Sequence, residues 1–176
     1  LALNVFLVPQ PSVEGTELCF GNAAELIVVG NDTSTFVWTP ANLFPVGANV
    51  GSTVTTLSLE QSTTITVTET TIDGCEGSFD LDIVVVPVLE VEKDTLSTCV
   101  ETPVTLNVPA SDFYTYAWAP AEGLSCTDCT ASILTPTTTT TVEVLANDIY
   151  NLGCTPDTFI FHVVVPADEI QVPNAF

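Results

Sequence analysis

The sequence predicts an all-β protein made of two tandem β-sandwich domains, and two observations lead to this prediction. First, one tryptophan and two cysteines recur after 79 or 80 positions: Cys19, Trp38 and Cys75, then Cys99, Trp118 and Cys154. Second, short segments rich in threonine and valine alternate between polar and apolar residues, as strands do. A period of this length, with one cysteine pair per copy, is typical of a modular extracellular array.

The strands of each copy are predicted from period-two alternation. In the first copy they lie at about 25–29, 35–38, 54–59, 63–68 and 78–86. In the second copy they lie at about 89–92, 104–108, 114–118, 132–134, 140–146 and 158–165. Clusters of Gly, Asn, Asp and Pro separate them as turns. Several short strands at regular spacing predict a sandwich.

A Val-Pro dipeptide marks the end of each copy. It occurs at positions 8–9, 86–87 and 165–166. We therefore predict one domain at 10–87 and a second at 88–167. Residues 1–9 are expected to end a preceding repeat or linker, and residues 168–176 to lead into a downstream domain. The chain is accordingly expected to be part of a longer protein.

The charge of the chain excludes several classes of partner. One basic residue, Lys93, stands against 22 acidic residues, so the formal net charge is −21 although 46% of the residues are hydrophobic. This apolar content predicts packed domains with an anionic surface rather than a disordered acidic segment. One lysine cannot form the cationic patch that nucleic acids or anionic membranes require, so neither partner is expected. No apolar run reaches the roughly 18 residues of a membrane span, so membrane insertion is not expected either.

The favoured explanation of the acidic surface is solubility. The alternative is the binding of divalent cations such as Ca²⁺ between domains, for which the sequence offers no EF-hand motif. No other cofactor is expected.

Six cysteines, an even number, indicate an oxidising extracellular compartment. Three disulfides are predicted, two tying one end of each sandwich and one pinning the loop at 122–130: Cys19–Cys75, Cys99–Cys154 and Cys126–Cys129. The last pair has two alternatives, a redox C-x-x-C and half of a zinc site. A redox motif would need a helix N-terminus, and a zinc site would need two further ligands.

Aromatic residues are candidates for the core and for ligand binding. Trp38 and Trp118 each end a predicted strand, and we expect them to fill the core, with a ligand platform as the alternative. Tyr114, Tyr116 and Tyr150 are the side chains that could line a carbohydrate-binding face if they are exposed.

The final strands of the two copies differ. Counting back from the Val-Pro junction, Asp80 and Asp82 correspond to Phe159 and Phe161. Either a one-residue bulge in the second copy restores the phase of alternation, or this copy exposes both phenylalanines as an interface with another domain or subunit. We favour the bulge.

Catalysis is not expected. His162 is the only histidine, and it lies in an alternating strand without a nucleophile motif. Asp80 and Asp82 lie two residues apart on one strand face and could act as an acid–base pair, but 22 acidic residues produce such pairs by chance. A solvated strand face is the simpler interpretation.

Several segments resemble a known family. WAPAEGLSCTDC at 118–129 and TPTTTTTVEV at 135–144 are similar to the Ig-like/PKD-like repeats of large cell-surface proteins of Bacteroidota. WTPANL at 38–43 and TTITVT at 63–68 are the corresponding segments of the first copy. VPNAF at 172–176 resembles the start of the gliding-motility-associated C-terminal domain, a type B sorting signal of type IX secretion.

The resemblance implies two Ig-like β-sandwich domains of an exported protein at the bacterial cell surface, where such repeats serve as stalk, filament or adhesin. It supplies no catalytic residues. We therefore predict an extracellular structural or adhesive repeat module. Its expected partners are neighbouring repeats of the same protein, identical subunits of a surface appendage, and glycans or cell surfaces. The alternative is a carbohydrate-binding or accessory module of a secreted hydrolase.

Overall fold

The computed structural model describes residues 12–13, 17–30, 33–90, 95–154 and 157–166. The chain divides into two compact units between Val88 and Leu89, one residue from the predicted boundary. The expectations for 1–9 and 168–176, and the single basic residue Lys93, lie outside the described residues.

The first domain is built from seven strands in its described part. They are β1 Ser12–Val13, β2 Glu17–Cys19, β3 Glu25–Val29, β4 Thr35–Thr39, β5 Thr53–Thr55, β6 Thr63–Thr70 and β7 Glu76–Val86. A single 3₁₀ turn, Ala41–Leu43, follows β4. One sheet has the order β1-β3-β5 and the other the order β2-β7-β6-β4.

The second domain repeats this plan with six strands in the part that is described. They are β8 Thr95–Ser97, β9 Val104–Asn107, β10 Tyr114–Ala119, β11 Ala131–Leu134, β12 Thr140–Asp148 and β13 Asp157–Val164. One sheet has the order β10-β12-β13-β8, and the other pairs β11 with β9. The pairs β2–β7 and β8–β13 are parallel. The chain is all-β and forms two β-sandwich domains, as predicted.

The core follows from the alternation of each strand. In β6, Ile65 and Val67 are buried while Thr64 faces solvent, and Val142 and Val144 repeat this pattern in β12. Threonine suits the outward positions because its branched Cβ fits a pleated surface. The buried apolar side chains of the first domain form one cluster between the two sheets.

The sequence missed the shortest strands. β1, β2 and β8 have two or three residues each, which is too few for an alternating pattern to be recognised. The predicted strand at 89–92 is wrong for Leu89 and Glu90, which lie outside any strand, while 91–92 are outside the described residues.

The structure corrects the alignment of the final strands. Leu81 pairs with Ile65 in the first domain, and Phe161 pairs with Val142 in the second, so Phe161 corresponds to Leu81. The additional residue lies in the first copy, where 84–86 precede Pro87 but only 164–165 precede Pro166. Alternation breaks there, because the residues at 85 and 86 are both buried. The bulge was expected in the second copy, and this location is wrong because the irregularity lies in the first copy. The inward and outward positions of the two final strands nevertheless correspond, as the expectation required.

Replacing Trp38 by alanine tests the core of the first domain. Trp38 is fully buried, and its indole Nε1–H donates to the Gly51 carbonyl at 2.9 Å. We expect Trp38→Ala to lower the free energy of unfolding of this domain by about 3–5 kcal/mol. Chemical denaturation followed by far-UV circular dichroism measures both domains, and the fluorescence of Trp118 then reports the second domain alone.

Val46→Ala is the control, because Val46 is fully exposed and should change stability by less than about 0.5 kcal/mol. A loss below about 1 kcal/mol in Trp38→Ala would contradict the core role of this tryptophan.

Candidate functional site

The loop that carries Cys126 and Cys129 is a rigid extension of the second core. The two cysteines form a disulfide with their Cα atoms 6.0 Å apart. The Ser132 hydroxyl is fully buried, donates to the Cys126 carbonyl at 2.7 Å and accepts from the Cys126 amide at 3.3 Å. The indole Nε1–H of Trp118 donates to the Cys129 carbonyl at 2.6 Å. The loop is therefore fixed by hydrogen bonds from core residues as well as by its disulfide.

The first domain has an equivalent loop without cysteines. The Trp38 amide donates to the Asn49 carbonyl at 2.8 Å, as the Trp118 amide donates to the Thr127 carbonyl at 2.9 Å. The indole of Trp38 donates to the Gly51 carbonyl, the position that the Cys129 carbonyl occupies for Trp118. In both domains the tryptophan thus anchors the loop that follows its strand, and the disulfide is an addition to this shared arrangement.

This arrangement favours a structural role for the Cys126–Cys129 pair. No helix begins at the loop, so nothing like the helix N-terminus of a redox C-x-x-C motif lies beside the two sulfurs. Across the described ranges, no group of three or more His, Cys, Asp or Glu side chains is placed to hold a metal ion.

Cys19 and Cys75 lie at opposite ends of the first sandwich. Cys19 ends β2, where it is paired with Val86 at the end of β7. Cys75 immediately precedes β7. It follows Gly74, which has a positive φ of +80° in the tight turn before the strand. Eleven residue steps along β7 separate the two ends, which corresponds to about 35 Å. A disulfide requires Cα atoms within about 7 Å, so these two cysteines cannot be bridged.

Cys99 and Cys154 are separated in the same way. Cys99 follows β8, whose last residue Ser97 pairs with Val164 at the end of β13. Cys154 precedes the start of β13. The length of β13 places the two cysteines on the order of 20 Å apart.

The predicted disulfides Cys19–Cys75 and Cys99–Cys154 are therefore wrong. Cys75 and Cys99 are free thiols in the structure, half-buried and exposed respectively. Cys19 and Cys154 are disulfide-bonded. The physical reason is the length of the last strand, which separates the two cysteines of each domain. Because β2 was not recognised in the sequence, Cys19 could not be placed beside the far end of β7.

Disulfides such as Cys126–Cys129 are typical of an extracellular domain.

The alternative in which Phe159 and Phe161 form an exposed interface is also wrong. Both side chains are buried, and the Phe161 ring stacks on Trp118 with centroids 5.6 Å apart and planes at 22°. Trp118 and Trp38 are buried as well, so both tryptophans lie in the core. The two phenylalanines of the final strand thus belong to the core of the second domain and do not form an exposed patch.

Two of the three tyrosines proposed for a carbohydrate-binding face are buried. Tyr114 and Tyr116 share the inward face of β10 with Trp118, while Tyr150 is partly exposed. The Tyr116 hydroxyl donates to the Pro109 carbonyl, and burial raises the pKa of this hydroxyl above its ordinary value. The sequence contained the signal for this, because residues 114, 116 and 118 have the same parity in one strand.

The candidate acid–base residues occupy solvated strand faces. His162 is exposed on β13, with Nδ1 3.2 Å from the Thr141 hydroxyl of the neighbouring strand. Asp80 and Asp82 are exposed on β7 and accept hydrogen bonds of 2.7 Å from Thr66 and Thr64. These contacts are cross-strand pairs of the kind that stabilises a sheet.

Comparison with known proteins identifies the fold. No protein family and no curated protein matches the sequence. Among solved structures, the insect immune protein hemolin, whose domain arrangement has implications for homophilic adhesion, is similar with a TM-score of 0.51 and 13% identity over 90% of this chain and 47% of hemolin. The chain thus spans about half the length of hemolin.

Two further similar structures are the D00-D0 domain of intimin and IG1+IG2 of DIP-gamma. Intimin gives a TM-score of 0.49 and 12% identity over 88% of this chain and 99% of that one. DIP-gamma gives a TM-score of 0.49 and 12% identity over 92% of this chain and 100% of that one.

In the described residues, no helix combines the length and the apolar character needed to cross a membrane. The fold is a tandem of two Ig-like β-sandwich domains.

Removing the Cys126–Cys129 disulfide tests its structural role. The variant Cys126→Ser/Cys129→Ser opens a loop of four residues, which corresponds to a loss of about 2 kcal/mol in the chain-entropy description. In a Trp38→Phe background, tryptophan fluorescence comes from Trp118 alone. The second domain should then unfold at a correspondingly lower denaturant concentration.

Cys75→Ser is the matched control, because it replaces a thiol that takes part in no disulfide, and it should leave the second domain unchanged. An unchanged second-domain transition in the double variant would show that the bridge does not contribute to stability.

Proposed function

We propose that this chain belongs to the extracellular structural or adhesive repeat region of a bacterial surface protein. Its two domains act as modules of a stalk or filament that holds an attachment surface away from the cell. The export route implied by the sequence resemblance, type IX secretion, is part of this proposal, as are attachment to glycans or cell surfaces and the association of identical subunits.

One observation carries the proposal. What the two domains have in common is scaffold: a core tryptophan that anchors the next loop, an alternating core, and cysteines at the two ends of the last strand. These shared features are packing and hydrogen-bonding contacts, and in the described residues no group of three or more His, Cys, Asp or Glu side chains is placed to hold a metal ion. Repetition of scaffold alone is what a spacer or an adhesive array requires.

The first domain also presents apolar side chains to solvent on one sheet. Ile27 and Val29 lie on the outward face of β3, the central strand of its sheet, and are 53% and 69% exposed. Their neighbours Leu26 and Val28 point into the core. Outward β-branched apolar residues on a central strand suit contact with another surface. We assign attachment to this β3 face.

Surface labelling tests the location. An antibody fragment raised against the chain should bind intact cells that produce the protein, and proteinase K added outside should remove the signal. Trypsin should act poorly, because the chain has one lysine or arginine. Labelling that requires lysis of the cells would contradict the proposal.

Competition by the soluble chain tests the attachment role. At micromolar concentration the chain should reduce attachment of the producing cells several-fold, and Ile27→Thr/Val29→Thr should lose most of this effect while keeping strand propensity. Val88→Thr is the matched control, because Val88 is 58% exposed but lies outside any strand. Equal competition by all three proteins, or none by the wild-type chain, would contradict attachment through the β3 face.

A further inference from the structure

The two free thiols lie in turns that are held by hydrogen bonds to the backbone of each cysteine. The Cys75 amide donates to the Thr71 hydroxyl at 3.1 Å, and the Thr71 amide donates to the Cys75 carbonyl at 2.9 Å. The Thr102 amide donates to the Cys99 carbonyl at 3.1 Å. Cys75 is half-buried and Cys99 is exposed, so a partner can approach both sulfurs. Each thiol is thus presented from a fixed position.

The repeat equivalents of both free thiols are oxidised. Cys154 follows Cys75 by 79 positions, and Cys19 precedes Cys99 by 80. Both equivalents are disulfide-bonded in the same structure, and the length of the last strand prevents the two cysteines of one domain from bonding to each other. The same two positions of the repeat are therefore bonded in one copy and free in the other.

The two positions mark opposite ends of the path of the chain through each domain. β8 runs parallel to β13, and β2 runs parallel to β7. The chain therefore enters β2 or β8 from the side where the last strand begins, which is the end of Cys75 or Cys154. It leaves at the end of Cys19 or Cys99. We call these the incoming end and the outgoing end of a repeat.

In a tandem array with short linkers, the outgoing end of one repeat lies next to the incoming end of the following repeat. Cys75 is an incoming-end thiol and Cys99 is an outgoing-end thiol, so the two belong to complementary types. We propose that Cys75 and Cys99 form disulfides with further repeats of this kind. Cys75 bonds an outgoing-end cysteine, and Cys99 bonds an incoming-end cysteine, so that successive repeats are covalently stapled.

The chemistry is thiol–disulfide exchange. Two thiols form one S–S bond and transfer two electrons and two protons to an oxidising disulfide, which is reduced to two thiols. Oxidised glutathione can serve as this disulfide in a test tube, and a dithiol oxidase can serve outside the cytoplasm. The inference deepens the proposed stalk function, but it depends on the repeat geometry and not on the β3 face, so the two can fail separately.

A complementation experiment with two variants tests the pairing. Cys75→Ser keeps only the outgoing-end thiol of Cys99, and Cys99→Ser keeps only the incoming-end thiol of Cys75. Each purified variant, and an equimolar mixture of both, is incubated at high concentration with oxidised glutathione, quenched with iodoacetamide and separated on a non-reducing gel. Cys75→Ser/Cys99→Ser is the monomeric control.

The mixture should give a disulfide-linked dimer at least about tenfold more abundant than the dimer of either variant alone, because only the mixture holds both types. Peptide mapping of that dimer should identify a Cys75–Cys99 cross-link. The wild-type chain should form a ladder of multimers that a reductant collapses to monomer. Dimers of a single variant as abundant as those of the mixture, or glutathione adducts without any dimer, would overturn the proposal.

Discussion

Most of the structure depends on the last strand of each domain. β7 lies between β6 and β2, and β13 lies between β12 and β8. The last strand is therefore an interior strand that is hydrogen-bonded to a neighbour on each side. Its inward side chains, such as Leu81 and Phe161, complete the core. Its length also sets the distance between the cysteines that flank it. This one element therefore lies at the centre of the sheet order and the core packing, and it keeps the two cysteines that flank it from bonding to each other.

Much of this could be predicted from the sequence, because the longer strands alternate over enough residues to define both a strand and its inward face. The predicted strand at 25–29 coincides with β3, and the one at 63–68 lies within β6. Short strands gave no such signal. β2 has three residues, and without it the sequence could not place Cys19 beside the end of β7. The disulfide assignment failed for this reason.

Parity explains the other differences. Tyr114 and Tyr116 were considered as exposed platforms, yet they share the inward parity of Trp118 in β10. Phe159 and Phe161 share the inward parity of Val163 in β13. In β10, Trp118 was already predicted to fill the core and would have oriented the strand. For β13, the additional residue near Val86 in the first copy concealed the shared parity when the copies were aligned from their Val-Pro junctions.

The central claim is that no disulfide closes a single domain from end to end. Protein isolated from its native source and alkylated before digestion, with the disulfide-linked peptides identified by mass spectrometry, tests it directly. The account predicts a Cys126–Cys129 peptide and no peptide pair that joins Cys19 to Cys75 or Cys99 to Cys154. Recovery of either of these pairs as a major product would contradict the placement of the cysteines at opposite ends of the last strand.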